Sequence, residues 1–224
     1  MRSVIFDLDG TLADTSGDLI AAANACFAQL EHPRLLDPQA DAATALRGGR
    51  AMLRLGLERL GRADEAVVDR FYPILLDAYA EAIDTHTTLY PGAMEAVHVL
   101  KTRGFAVGIC TNKPEGLARI LLEKMGVLAT FDALIGADTL PVRKPDPAPF
   151  HAAVERAGGT AGRGLLVGDT VTDRDTARAA GAPIVLVTFG PGNTMGQPGV
   201  ADLAPDAFLS DYAALPALAE RLLS

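Results

Sequence analysis

The sequence predicts an α/β fold: a doubly wound, Rossmann-like parallel sheet with an all-helical segment inserted after its first strand. Three observations carry this expectation. Four apolar runs, at 4–6, 106–110, 165–167 and 184–187, are rich in Val, Ile and Leu and lack polar alternation, as strands covered on both faces do. Helical stretches alternate with the later runs, at about 92–103, 115–124, 147–156 and 172–180. The stretch from 14 to 87 contains no strand-like run.

The first run ends in Asp7-Leu8-Asp9-Gly10-Thr11. Side chains at i and i+2 of an extended strand share a face, so Asp7 and Asp9 are expected to leave the buried strand together. Two carboxylates so close repel each other and want a cation or a proton. Gly10 and Thr11 allow a sharp turn and offer N–H groups to an anion. Together these features describe a magnesium-assisted phosphoryl-transfer site.

Residues 18–30, 42–60 and 64–83 are Ala- and Leu-rich with helical spacing; Gly48-Gly49 interrupts the second stretch and Gly61 ends it. Thr88-Leu89-Tyr90-Pro91-Gly92 is the expected return hinge. The domain division is therefore 1–13 with 88–224 for a sheet-bearing core, and 14–87 for a helical insertion. The Gly/Pro-rich stretch 189–199 is expected as a surface loop or lid. Residues 211–222 read as a closing helix with Asp211 as N-cap.

Bulk properties narrow the function. A chain of 224 residues suits one large domain or two small ones, and 49% apolar with 21% charged residues excludes wholesale disorder. A net charge of −8 argues against a nucleic-acid partner, which calls for a basic stripe. Two cysteines, Cys26 and Cys110, make neither a disulfide framework nor a C-x-x-C pair. With no signal core and no apolar run near the ~20 residues that span a bilayer, a soluble cytoplasmic protein without a membrane partner is expected. His32, His86, His98 and His151 are scattered without i, i+4 pairing, and no metal role is assigned to them.

The remaining strands also end in reactive residues. The second runs into Thr111-Asn112-Lys113-Pro114, and the third into Gly168-Asp169 with Asp173 four residues on; Arg143-Lys144-Pro145 precedes a helix. Open parallel sheets bind ligands outside the carboxyl ends of their strands, near a topological switch point. No strand is followed by G-x-G-x-x-G, and there is no G-x-x-x-x-G-K-[ST] loop, which argues against dinucleotide and nucleoside-triphosphate chemistry.

The ordered set Asp7-Leu8-Asp9-Gly10-Thr11, Thr111-Asn112, Lys144-Pro145 and Gly168-Asp169 with Asp173 resembles the phosphatases of the haloacid dehalogenase superfamily that carry a helical cap after the first strand. The resemblance covers essentially the whole chain. Within the superfamily, Thr111-Asn112-Lys113-Pro114, Lys144-Pro145-Asp146-Pro147-Ala148-Pro149 and the Ala179-Ala180-Gly181 turn are most similar to the phosphoglycolate phosphatase group. One departure is the run Phe189-Gly190-Pro191-Gly192-Asn193 where that group often has an aromatic-rich stretch.

The resemblance implies roles. Asp7 is the nucleophile that forms an aspartyl-phosphate, and Asp9 protonates the leaving alkoxide and then takes a proton from water. Gly10, the Thr111 hydroxyl and the Asn112 N–H hold phosphoryl oxygens, and Lys144 stabilises their charge. Mg²⁺ is held by Asp7, the Asp9 main-chain carbonyl and Asp169, with Asp173 direct or through water. The second Asp separates this chain from dehalogenases of the superfamily, whose leaving halide needs no proton. A small phosphate ester, foremost 2-phosphoglycolate, is the implied substrate, and monomer or homodimer the implied assembly. A phosphomutase of the same fold and a non-catalytic sensor of a phosphorylated ligand are the rival readings.

Each candidate also has a plainer role. Asp-Gly is a common turn pair, Thr111 is a potential helix N-cap, and Asp169 and Asp173 suit a helix N-terminus. Lys144 favours function because the chain has only four lysines against sixteen arginines. Arg47, Gly49 and Arg50 are candidate substrate contacts from the helical insertion, with solvated arginines the first reading. Cys110 and Cys26 read as packing residues.

Overall fold

The computed structural model describes residues 1–191 and 201–224. The chain opens with β1 (Ser3–Phe6) and the short β2 (Ala13–Asp14), runs through α1 (Ser16–Ala28), α2 (Ala42–Ala45), α3 (Gly49–Arg59) and α4 (Glu65–Glu81), and returns through β3 (Thr88–Leu89). It continues with α5 (Ala93–Thr102), β4 (Ala106–Cys110), α6 (Glu115–Lys124), β5 (Ala133–Ile135), α7 (Ala148–Arg156), β6 (Gly164–Gly168), α8 (Val171–Ala180), β7 (Ile184–Val187), β8 (Ala207–Leu209) and α9 (Leu215–Leu222). Two compact units result: Met1–Ala13 with Leu89–Ser224, and Asp14–Thr88.

In the first unit six strands form one sheet in the order β5-β4-β1-β6-β7-β8, parallel at every pairing. β1 lies between β4 and β6, with Ile5 opposite Gly108 on one side and Leu166 on the other. The chain builds outward from β1 in one direction through β4 and β5, then reverses through β6, β7 and β8. The switch point therefore falls at the carboxyl end of β1, where ligands of such sheets bind.

The strands read as unbroken apolar runs because both faces are covered. On one face Ile5, Cys110, Ile135, Leu166, Ile184 and Leu186 pack with Phe150, Ala153 and Val154 of α7 and Ala177 of α8. The α7 residues follow the i, i+3, i+4 spacing that lines one side of a helix. Full burial of an aliphatic or Phe side chain contributes roughly 1.5–3 kcal/mol, so this face is a main source of stability. α8 begins with a capping box, the Thr170 hydroxyl and the Asp173 carboxylate each serving the other's backbone N–H, and stops at Gly181 in the left-handed conformation.

β5 and β8 escaped the sequence reading. Each is a three-residue apolar run at an edge of the sheet, and Phe208 of β8 is exposed. The expected helix 211–222 is also divided. Asp211 caps a 3₁₀ turn, Tyr212–Ala214, by accepting from the Ala213 N–H, and α9 starts at Leu215 with Pro216 in its first turn. The lid expected at 189–199 falls outside the described residues from 192 onward.

In the second unit the buried stripes are Leu19, Ile20, Ala23, Cys26 and Phe27 on α1, Met52, Leu53, Gly56 and Leu57 on α3, and Val68, Phe71, Leu75 and Tyr79 on α4. Gly48, at φ 96°, makes the break between α2 and α3 that side-chain-bearing residues resist. The buried Asp18 carboxylate accepts from the His86 and Thr87 N–H groups and the Thr87 hydroxyl, tying the start of the unit to its end. α3 crosses α1 so closely that a Cβ on Gly56 would lie 2.1 Å from the Phe27 ring. Gly56→Ala is therefore expected to destabilise the protein by about 1–3 kcal/mol through overpacking, despite alanine's better helix propensity, as read by urea unfolding.

Both cysteines are free and buried. Cys26 donates weakly to the Phe71 carbonyl at 3.8 Å, and burial pushes its thiol up to about 11. The four histidines are exposed. Among the described residues no helix is long and apolar enough to cross a membrane.

Candidate active site

Three adjacent strands deliver the candidate residues to one edge. β1 ends at Phe6, and the Asp7 N–H extends the ladder to the Val167 carbonyl at 2.9 Å. β4 delivers Thr111, whose N–H reaches the Ile135 carbonyl at 2.9 Å, and β6 delivers Asp169. After Asp7 the backbone coils: the Leu8 carbonyl accepts from the N–H groups of Thr11, Leu12 and Ala13. The turn thus follows Leu8, and each carboxylate meets its own lysine, Asp7 with Lys144 at 3.1 Å and Asp9 with Lys113 at 2.8 Å.

Lys144 is the hub. It is 2% exposed, with Nζ 2.6 Å from Asp173 Oδ1 and 3.1 Å from Asp7 Oδ2. Burial alone would lower its pKa, but Asp173 and Asp7 outweigh burial and raise it, so the ammonium stays charged. Asp173 is held below the usual carboxylate range because Lys144 and Thr170 outweigh its burial. Its Oδ2 accepts from the Thr170 hydroxyl at 2.7 Å and from the N–H groups of Thr170 and Asp169 at 3.0 and 3.2 Å. Asp173 therefore fills its plainer role, closing the capping box of α8 with Oδ2, while its Oδ1 meets Lys144. Gly168 permits this approach, since a Cβ there would lie 2.4 Å from Asp173.

Asp7 is the opposite case. Burial pushes its carboxyl up to about 6, helped by Asp173 and Asp9 and resisted by Lys144 and by the Leu8 N–H, which donates to it at 2.7 Å. The nucleophile candidate thus sits where its ionised form is under-compensated by protein groups.

Asp7, Asp169 and Asp173 each offer an oxygen within 4.8 Å of the others, a grouping that can hold a metal ion. The fit is chemical as well as spatial: the donors are hard carboxylate oxygens around one ammonium, and no sulfur or imidazole is among them. The Asp9 carboxylate is not one of these three; it pairs with Lys113 Nζ at 2.8 Å. Thr11 donates from its hydroxyl to Asp169 Oδ1 at 3.0 Å, which braces the Gly10–Thr11 turn against β6. Thr111 is buried, but it does not cap α6, whose N-cap is Pro114; its hydroxyl accepts from the Lys113 N–H at 3.2 Å. Asn112 donates from its side chain to the Lys144 carbonyl at 3.0 Å, linking two of the strand-end segments.

Sequence reading missed Lys113, Thr11 and Thr170 as site residues. Lysine scarcity, the signal that singled out Lys144, applies equally to the buried Lys113. Thr170 three residues before Asp173 is a capping-box spacing. In the helical unit, Arg47 is exposed, and Arg50 pairs with Asp69 at 2.6 Å and lies 4.5 Å from the centre of the Tyr72 ring.

Comparison with known proteins gives the family. The family model for haloacid dehalogenase-like hydrolases matches residues 1–181. The chain is 39% identical over 222 residues to a phosphoglycolate phosphatase of Mesorhizobium japonicum, covering 98% of this chain and 96% of that one. It is 40% identical over 217 residues to a phosphoglycolate phosphatase of Caulobacter vibrioides, covering 92% and 87%. The crystal structure of a predicted phosphoglycolate phosphatase from Haemophilus somnus 129PT superposes with a TM-score of 0.83 at 25% identity, covering 97% of each chain. The chain therefore belongs to the haloacid dehalogenase-like hydrolase family, among its phosphoric monoester hydrolases.

Proposed function

We propose that the protein hydrolyses the phosphomonoester of a small phosphorylated metabolite, 2-phosphoglycolate foremost, through an aspartyl-phosphate on Asp7. The observation that carries this is the buried carboxylate cluster at the carboxyl end of β1, with Lys144 at 2.6 and 3.1 Å from two of its members. The choice of 2-phosphoglycolate is supported by relatives of that name, 39% and 40% identical over most of both chains.

Asp7 attacks phosphorus in line, and the ester P–O bond breaks as the new P–O bond forms. Asp9 gives its proton to the departing alkoxide. In the second step Asp9 takes a proton from water, whose oxygen attacks phosphorus and frees the Asp7 carboxylate and inorganic phosphate. The Thr111 hydroxyl and the backbone N–H groups of Gly10 and Asn112 orient the phosphoryl oxygens, and the Lys144 ammonium balances their charge. Mg²⁺ suits Asp7, the Asp9 carbonyl, Asp169 and Asp173, directly or through water, and when bound would supply the positive charge that keeps Asp7 ionised and neutralises the ester. The helical unit is proposed as the cap that selects the substrate and excludes water.

A panel of phosphorylated metabolites ranked by kcat/KM, each with Mg²⁺ and with a chelator, tests this reading. The expected result is Mg²⁺-dependent phosphate release with 2-phosphoglycolate ranked first. Turnover that needs a sugar bisphosphate and returns phosphate to the sugar would replace the hydrolase with a mutase. Tight binding without turnover would replace it with a sensor.

A further inference from the structure

Beyond the acidic cluster, the turn that carries Asp9 is clamped from a part of the chain the reaction does not touch. Tyr212 lies in the 3₁₀ turn before α9, fully buried, and its hydroxyl donates to the Thr11 carbonyl at 2.6 Å across 201 residues of sequence. Its ring packs on Phe189 with centroids 5.4 Å apart, and Phe189 packs on Tyr90 at 4.9 Å. The backbone N–H of Tyr90 in turn donates to the Leu12 carbonyl at 3.0 Å. The 8–13 turn is thus gripped at Thr11 and Leu12 by the two ends of one aromatic stack. Gly190, at φ 82°, lets the chain pass this stack, since a Cβ there would lie 2.4 Å from the Tyr90 hydroxyl oxygen.

We infer that Tyr212 is a positioning residue: through the Thr11 carbonyl it fixes the turn that presents Asp9 to the leaving group. Thr11 is the point where this matters most. Its carbonyl is held by Tyr212 and its hydroxyl by Asp169, so the two bonds together set the orientation of the peptide units between Asp9 and Leu12. Tyr212 itself touches no reacting atom, and its effect passes through the backbone. Burial, and then the nearby Asp169 carboxylate, raise its phenol well above the ordinary value, so it stays a hydrogen-bond donor throughout the working pH range.

The inference rests on the proposed role of Asp9, and its test separates the two. Tyr212→Phe keeps the ring and its stacking and removes only the hydroxyl. Amide hydrogen exchange is read first, and it needs no activity: the 8–13 turn should exchange about tenfold faster in the variant, while β1 and β6 keep their protection. Kinetics are read next. kcat/KM, which reads the first displacement alone, should fall about tenfold on an alkyl phosphate such as 2-phosphoglycolate and less than about threefold on an aryl phosphate, whose leaving group needs little protonation. A merely structural loss would lower both substrates equally and loosen the sheet as well. Unchanged exchange in the turn, or equal losses of kcat/KM on both esters, overturns the inference. If the wild-type protein hydrolyses neither ester, the proposed function fails, and the exchange result still decides whether Tyr212 holds the turn.

Discussion

Asp7→Asn is expected to abolish phosphate release, lowering kcat by about 10⁴- to 10⁶-fold, while making the metal-free protein more stable. The two effects share one cause. Asp7 lies where burial, Asp173 and Asp9 all oppose its charge, so its carboxyl titrates near 6 in the folded chain against 3.8 ordinarily. For an acid with a raised folded-state pKa, the folded state binds the proton more tightly. Its contribution to stability is greatest below about pH 4 and is lost as pH rises to about 6, at a cost of up to about 3 kcal/mol. Asparagine keeps the shape and still accepts from the Leu8 N–H, but it carries no charge to strand. Urea unfolding in a chelator should show the variant more stable than wild type at pH 7, with the gap closing towards pH 4. An inactive variant that is equally stable at both pH values would show that Asp7 is not electrostatically strained.

The second large effect is expected at Lys144, with the opposite sign. Lys144→Met removes the ammonium that Asp173 and Asp7 share at 2.6 and 3.1 Å and leaves buried carboxylates without their cation. Breaking a buried pair from one side costs about 3–5 kcal/mol, and the loss should appear in urea unfolding at pH 7.5. The deficit should shrink on acidification, because protonating the stranded carboxylates removes the penalty. Asp173 behaves differently in the wild-type protein. Its folded-state pKa is depressed, so its contribution is present above its unfolded value and lost as pH falls through the folded one. Phosphate release by Lys144→Met should fall by about 10²- to 10⁴-fold, since the phosphoryl oxygens lose a charged partner in a water-poor site. The pairing of Asp7→Asn, inactive and stabilised, with Lys144→Met, inactive and destabilised, separates a nucleophile from the cation that supports it.

Much of this candidate site was legible in the sequence because several of its members are strand ends. A buried parallel strand must be apolar, and the first polar residue after it marks the edge where ligands bind; Asp7, Thr111 and Asp169 all follow that rule. Central strands were legible for the same reason, whereas β5 and β8 are three-residue runs at the two edges of the sheet, with Phe208 of β8 exposed. What stayed hidden was the pairing. Lys113 finds Asp9 across 104 residues and Lys144 finds Asp173 across 29, and no local periodicity encodes such partners. The chain coils onto the Leu8 carbonyl after Asp7, and no strand pattern announces that coil or the Lys113 partner of Asp9. Tyr212 had no signal at all, since its partner is a backbone carbonyl rather than a side chain.

The stereochemical course at phosphorus tests the central claim most directly. A thiophosphate ester made chiral at phosphorus with two oxygen isotopes is hydrolysed in water enriched in the third, and the configuration of the released thiophosphate is compared with that of the ester. Attack by Asp7 followed by attack by water is two in-line displacements, so the account predicts net retention. Net inversion would mean that water attacks the ester directly, and Asp7 would not be the nucleophile.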